Sequence, residues 1–300
     1  IKQVIGERPI NYLIINHMEP DHSGSIRLIK QHYPGIIIVG NKQTFGMIEG
    51  FYGVTGEQYL VKEGDFLALG HHKLRFYMTP MVHWPETMMT FDETDGVLFS
   101  GDGFGCFGTV DGGFLDTRIN VDKYWGEMVR YYSNIVGKYG SPVQKALQKL
   151  GGLPISAICS THGPVWTENI AKVIGIYDRL SRYDADEGVV IAYGSMYGNT
   201  EQMAEAIAEE LSAQGVKNIV MHNVTKSHPS YIIADIFRYK GLIIGSPTYS
   251  NQIFPEVEAL LSKILLREVK GRYLGYFGSF QLRRGVFIEI YHINRIYISL

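Results

Sequence analysis

Four potential metal ligands fall within six positions, His17, Glu19, Asp21 and His22, directly after the apolar run Tyr12-Leu13-Ile14-Ile15. Alternate residues of an extended chain point the same way, so His17, Glu19 and Asp21 are expected to share one side of a strand end. Imidazoles and carboxylates brought together in this way are the donors of transition-metal sites. Gly24 permits a tight turn into the helix-like segment 25–32. A polar turn capping that helix is the plainer explanation of Asp21-His22-Ser23-Gly24. Four ligand types in six positions outweigh it.

Three more candidates each follow a strand-like run: His83 after 74–82, Asp102 after 97–101 and His162 after 157–161. Taken singly, each reads equally well as a loop cap or turn residue. Delivered in order by successive strand ends, they describe a metal site carried on a rigid sheet. His17, Glu19, Asp21, His83, Asp102 and His162 make three imidazoles and three carboxylates, with His22 a possible addition. That is too many for one tetrahedral zinc and suits two metals sharing a carboxylate. A set rich in oxygen and without thiolate favours iron over zinc. His32, His71, His72, His222, His228 and His292 match no ligand position and read as surface or structural residues.

A second chemistry-bearing stretch is Gly194-Ser195-Met196-Tyr197-Gly198-Asn199-Thr200, between the strand-like 188–193 and the helix-like 201–214. Hydroxyls, an amide and free backbone N–H groups at a helix start form a phosphate cradle. It lacks the Gly-Lys-[Ser/Thr] of a nucleoside triphosphate loop. Further on, Gly245-Ser246-Pro247-Thr248-Tyr249-Ser250-Asn251 follows the apolar 242–244. Ligands of doubly wound sheets sit at such carboxyl ends of strands. The structural alternatives are a plain strand-to-helix turn and a surface turn with a packed Tyr249.

These stretches need elements to hold them. A chain of 300 residues, 45% hydrophobic and 19% charged, accommodates two domains with sizeable cores. Its net charge of -2 gives no electrostatic case for nucleic acid or an anionic membrane. The two cysteines, Cys106 and Cys159, exclude a disulfide framework and fit a reducing compartment. No apolar run approaches a membrane span and no signal peptide is visible. Up to about residue 174, short strands (35–39, 74–78, 96–100, 155–159) alternate with turns, and helical periodicity marks 122–139 and 142–150. After a polar linker at 181–187, strands near 188–193, 217–222, 241–245 and 272–277 alternate with helices, the pattern of a doubly wound parallel sheet.

The ligand order resembles the metallo-β-lactamase fold, whose hydrolases carry His-x-His-x-Asp-His at this point. Glu19 replaces the second histidine, which is similar to the iron-binding branch, the flavodiiron proteins. The loop 194–200 resembles the FMN phosphate loop of flavodoxins, and 245–251 the loop along the flavin edge. The resemblance implies an α/β chain: a metallo-β-lactamase-like αββα sandwich at 1–182, then a flavodoxin-like FMN domain at 187–300. It implies that His17, Glu19, His83 and Asp102 hold one iron, and that Asp21, His162 and the shared Asp102 hold the other. Ser195, Met196, Tyr197, Gly198, Asn199, Thr200, Pro247, Thr248, Tyr249, Ser250, Asn251, Ser279 and Phe280 would contact FMN. The resemblance covers roughly residues 1–280. The family's strand-rich stretch before the first ligand motif is expected to be missing. From about 281 the Ile-, Tyr- and Arg-rich tail departs from the family pattern, as a frame-shifted translation would.

The implied activity is reduction of dioxygen to water, or of nitric oxide to nitrous oxide, in the cytoplasm. Electrons would come from rubredoxin or a similar small carrier, since two isolated cysteines cannot form that protein's four-thiolate site. A head-to-tail homodimer or homotetramer is implied, and no nucleic acid or membrane partner. The alternatives are a zinc hydrolase with an attached flavodoxin module, or an FMN electron carrier whose front domain is a scaffold.

Overall fold

The structure is a computed structural model describing residues 1–279 and 289–293. The chain divides into two compact units, Ile1–Asp122 with Ser141–Ile174, and Lys123–Gly140 with Gly175–Leu300.

The first unit contains two sheets. Parallel strands β1 (Tyr12–Ile14), β2 (Ile37–Gly40) and β3 (Gln58–Leu60) form one, in that order. The other runs β4 (Phe66–Leu69), β5 (His72–Met78), β6 (Met88–Asp92), β7 (Val97–Gly101), β8 (Ala157–Ser160). It is antiparallel except for the last pair. Alternation along β1 and β2 shows how the layers form. Tyr12, Ile14 and Val39 join Leu67, Leu74, Phe76 and Met88 in a cluster between the sheets. Leu13 and Ile38 turn the other way and pack with Ile26 and Ile48, from the helices Ile26–His32 and Lys42–Tyr52. Each such fully buried aliphatic side chain stabilises the fold by about 1.5–3 kcal/mol.

In the second unit β9 (Asp186–Tyr193), β10 (Ile219–Asn223), β11 (Tyr239–Tyr249) and β13 (Arg272–Ser279) form a parallel sheet in the order β10-β9-β11-β13. The two-residue β12 (Gln252–Ile253) folds back on β11, and β14 (Glu289–Ile293) lies antiparallel beside β13. Ala204, Ile207, Ala208 and Leu211 make an apolar stripe on the helix Asn199–Ala213 and cover Ile191, Ile243 and Phe277. Residues of the opposite parity, Val190, Ala192, Leu242 and Ile244, are buried as well, as a sheet with helices on both faces requires.

Two elements differ from expectation. The periodicity at 122–139 is not one helix: Asp122–Tyr131 is α-helical, Tyr132–Val136 widens into a π turn, and Gly137–Tyr139 tightens to 3-10. This segment belongs to the second compact unit, although the motif-based boundary at 182 places it in the first. Packing explains it: a Cβ on Gly137 would lie 2.6 Å from the Phe237 ring, and Asn134 Nδ2 donates to Ser230 O at 3.0 Å. Gly245–Tyr249 is strand rather than loop. Ser250 and Asn251, both at positive φ, close a two-residue hairpin that extends β11.

Arg272, fully buried at the start of β13, has no carboxylate partner among the hydrogen bonds described. Its guanidinium donates to Ile236 O (2.8 Å) and Phe237 O (2.7 Å), at the end of the helix Pro229–Arg238, and to Tyr183 O (2.9 Å). Burial pushes its pKa down to about 10.

Candidate metal centre and flavin loops

The end of β1 is held by Asn16. Its Nδ2 donates to Phe99 O (3.1 Å), its Oδ1 accepts from Thr90 Oγ1 (2.7 Å), and its carbonyl accepts from Met88 N (3.0 Å). This anchors the first ligand stretch to β6 and β7, and β7 delivers Asp102. Thr161 N donates to Gly101 O (3.0 Å), which brings the His162 turn alongside.

The backbone from 17 to 21 is not extended throughout. Pro20 opens a short helical turn, Pro20–Ser23, with Glu19 at its N-cap. The turn parts Asp21 from His17 and Glu19. Donor atoms of His17, Glu19, His83 and Asp102 form one group, and those of Asp21, His22 and His162 another, each within 4.8 Å. His83 Nε2 lies 3.1 Å from Glu19 Oε2 and 3.0 Å from Asp102 Oδ2, and His17 Nε2 is 3.6 Å from the same Oδ2. On the other side His22 Nε2 is 2.9 Å and His162 Nε2 3.8 Å from Asp102 Oδ1, and both approach Asp21 Oδ2, at 3.3 and 3.4 Å. Asp102, 1% exposed, therefore turns one oxygen to each group. This is the geometry of a shared carboxylate, and it places His22 in the second group.

Burial opposes ionisation of Asp102, but hydrogen bonds from His22, His83 and Thr161 hold its carboxyl well below the usual range. His22 is raised, chiefly by its hydrogen bond to Asp102. For His83 burial works against the charge, and Asp102 and Glu19 still raise it. Metal uptake at these imidazoles releases protons.

Glu86 was not among the residues picked from sequence. Its carboxylate is fully buried, accepting from His17 Nδ1 at 2.8 Å and Met18 N at 2.9 Å. No ligand spacing marks it, and only the contact across 69 positions reveals it. His72 lies with Asp92 and Asp95 at the far turns of the second sheet, its Nδ1 2.7 Å from Asp92. His222 bridges Ser227 and Asp235, and His228 caps the helix Pro229–Arg238.

Behind His162, buried Asp116 gathers the next turn. It accepts from Thr167 N and Oγ1, Glu168 N, and Asn169 N and Nδ2, at 2.6–3.1 Å. Burial works against its charge, and the hydrogen bonds from Thr167 and Asn169 lower its pKa nonetheless. A depressed carboxyl stabilises above the ordinary carboxylate range, and the contribution fades as pH falls through the folded-state value. Asp116→Ala is expected to cost about 3 kcal/mol at neutral pH, since buried donors lose their acceptor. Denaturant titration should show the gap to the unsubstituted protein narrowing in acid. A pH-independent gap would contradict the assignment.

In the second unit the two candidate flavin stretches lie at the carboxyl ends of β9 and β11, which pair in parallel. Gly198, at φ 85°, turns the chain into a 15-residue helix whose N-terminus carries no side-chain cap, and helix starts of this kind attract anions. Ser195 Oγ accepts from Gly198 N at 3.2 Å. Tyr197 is 87% and Tyr249 48% exposed, and Tyr249 meets the Phe254 ring edge-on at 6.2 Å. An uncapped helix start beside exposed aromatic rings fits a flavin mononucleotide. Of Ser279 only the backbone is described, and Phe280 lies outside the described residues, as does the 281–288 stretch of the divergent tail.

The sequence model of the family described as ODP family beta lactamase matches residues 1–163, and that of flavodoxin matches 191–281. The chain belongs to the ODP β-lactamase family, in its flavodiiron branch. This flavodiiron chain is 31% identical over 296 residues to the anaerobic nitric oxide reductase flavorubredoxin of Vibrio vulnificus, covering 97% of the chain and 60% of the relative. With the Aeromonas hydrophila protein of the same name it is 32% identical over 277 residues, covering 90% and 56%. The chain thus spans little more than half the length of these relatives. The rubredoxin oxygen:oxidoreductase of Desulfovibrio gigas matches with a TM-score of 0.87 and 29% identity, covering 91% of this chain and 69% of that one. The flavodiiron protein of Giardia intestinalis matches at 0.88 and 27%, covering 92% and 68%. The αββα sandwich followed by a flavodoxin-like sheet is thereby the fold of this flavodiiron chain. Its cofactors are FMN and a diiron centre, and the donor set and phosphate loop fit both. No helix among the described residues is long and apolar enough to cross a membrane.

Proposed function

We propose that this chain reduces dioxygen to water or nitric oxide to nitrous oxide at a pair of irons, with electrons arriving through FMN. One observation carries the reading: the oxygens of buried Asp102 face two separate donor groups, Oδ2 toward His83 and His17 and Oδ1 toward His22 and His162. His17, Glu19, His83 and Asp102 would hold one iron, and Asp21, His162 and Asp102 the other, with His22 a possible further ligand. When bound, the irons supply one-electron redox steps and open coordination positions for a gas, and FMN supplies the electrons. The residues do the rest. Glu19, Asp21 and Asp102 balance positive charge. Trp84, edge-on to His17 at 5.3 Å and to His83 at 6.3 Å, walls one side. Where His22 is not itself a ligand, its Nε2, 2.9 Å from Asp102 Oδ1, would hold a proton beside the shared carboxylate.

Ser195, Gly198, Asn199 and Thr200 would hold the FMN phosphate. Met196, Tyr197 and residues 247–251, with Ser279 and Phe280 beyond them, would border the ring. By their motifs the diiron and flavin domains are assigned to 1–182 and 187–300, although Lys123–Gly140 packs within the second compact unit. The donor is rubredoxin or a similar small electron carrier, the assembly a head-to-tail dimer or tetramer, and the compartment the cytoplasm.

Anaerobic purification with metal and flavin counts, Mössbauer spectra and gas consumption tests the reading. Two irons, FMN and turnover of either gas support it. Zinc with hydrolytic activity would sink it. Ser195→Ala and Thr200→Ala should each weaken FMN binding roughly tenfold, the value of one hydrogen bond to a charged phosphate. Unchanged affinities in fluorescence titration would remove these residues from the phosphate site.

A further inference from the structure

We propose that Glu86 is a positioning residue of the metal centre, holding His17 as the tautomer and at the angle that presents Nε2 to the first donor group. Three constraints meet on this imidazole. Glu86 Oε1 takes the Nδ1 proton at 2.8 Å. The same oxygen accepts Met18 N at 2.9 Å, so the backbone beside the ligand is fixed by the atom that fixes the ring. Trp84 stands edge-on to the ring at 5.3 Å, 89° between planes. Nε2 is left facing Glu19 Oε2 at 3.4 Å and Asp102 Oδ2 at 3.6 Å. An ionised carboxylate only accepts, so Nδ1 bears the proton and Nε2 the lone pair.

Burial makes Glu86 more than a hydrogen-bond acceptor. The residue is fully buried, and its Oε2 has no hydrogen-bond partner among the described residues. A buried carboxylate with one oxygen unmatched is unfavourable unless positive charge lies nearby. The donor groups hold three carboxylates, Glu19, Asp21 and Asp102. Against two divalent ions they leave one positive charge, which Glu86 offsets through the polarised imidazole. Carboxylates behind ligating histidines raise ligand basicity in the same way, and their loss typically weakens metal binding 10–100-fold.

The inference rests on the diiron reading for the natural metal only, so cobalt(II) is the probe for geometry and affinity. The full chain and its Glu86→Gln variant, which keeps the size and an acceptor oxygen, are titrated with cobalt(II) against a chromophoric chelator. The expected result is a 10–100-fold weaker first site in the variant, a shifted d–d spectrum and an unchanged second site. With iron loaded, the variant's reduction potential should rise, because a negative charge has gone. A role confined to folding would leave spectrum and potential unmoved. No variant is needed for the second measurement: two-bond 1H–15N NMR of the metal-free chain should show His17 protonated on Nδ1. Unaltered cobalt affinity and spectrum in the variant, or His17 protonated on Nε2 alone, would overturn the inference. Absence of cobalt binding by the unsubstituted chain would overturn the metal reading and this inference with it.

Discussion

Replacing Asp102 with Ala is expected to strip metal from both donor groups at once and to abolish gas reduction. Asp102 joins the two groups: Oδ2 lies against His17 and His83, and Oδ1 faces His22 and His162. The loss in affinity should therefore exceed the roughly 100-fold upper end seen when residues behind ligands are changed. Asp102→Asn keeps the volume and the Thr161 hydrogen bond, 2.6 Å to Oδ1, while removing the charge. It separates loss of the bridge from local misfolding. Metal analysis and an oxygen or nitric oxide electrode read both variants. Turnover surviving in a metal-free Asp102→Ala protein would mean the flavin unit acts alone and the front unit is a scaffold.

The second large effect concerns stability rather than chemistry. Arg272→Met should destabilise the flavodoxin-like unit by on the order of 3 kcal/mol or more, because buried carbonyls lose a charged donor. The guanidinium ties the linker at Tyr183 to the last turn of the helix Pro229–Arg238 and to its own strand start at Lys270 O, 2.8 Å away. Carbonyls at a helix end carry the negative pole of its dipole, so a cation there is doubly favoured. Arg272→Lys should rescue little, since one ammonium cannot reach carbonyl acceptors in three segments. Hydrogen exchange is the measurement, because a two-unit chain does not unfold in a single step. Protection should fall around Tyr183 and Ile236–Arg238. Wild-type protection in Arg272→Met would show that water or neighbouring groups satisfy these carbonyls.

Much of the site was legible because its pieces are local. A strand followed at once by ligand types is a short-range pattern, and so is a hydroxyl- and glycine-containing loop between strand and helix. Each of the six candidate ligands read from sequence falls in one of two donor groups that could hold a metal ion. The misreadings also have local causes. Treating 17–21 as extended neglected Pro20, whose fixed φ suits the first position of a helical turn. Treating 245–251 as a loop neglected the left-handed tolerance of Asn251, which lets the strand continue into a hairpin. The 122–139 segment is amphipathic in either unit, and periodicity does not say which core receives its apolar side.

By itself, then, the sequence determined the kinds of ligand, their order along the chain, the phosphate loop, and the pairing of a lactamase-like with a flavodoxin-like sheet. The first three depend on residue type and short spacing, which one element carries alone; the pairing of the two sheets rests on the family resemblance that those motifs carry. Only the tertiary structure brought His22 to Asp21 and His162, turned one oxygen of Asp102 to each donor group, and set Glu86 behind His17. Most of these relations are long-range: Glu86 lies 69 positions from His17, and the Asn16–Phe99 bond that anchors the first ligand stretch spans 83. Their distances are set by how sheets stack and strands register, which no local spacing encodes.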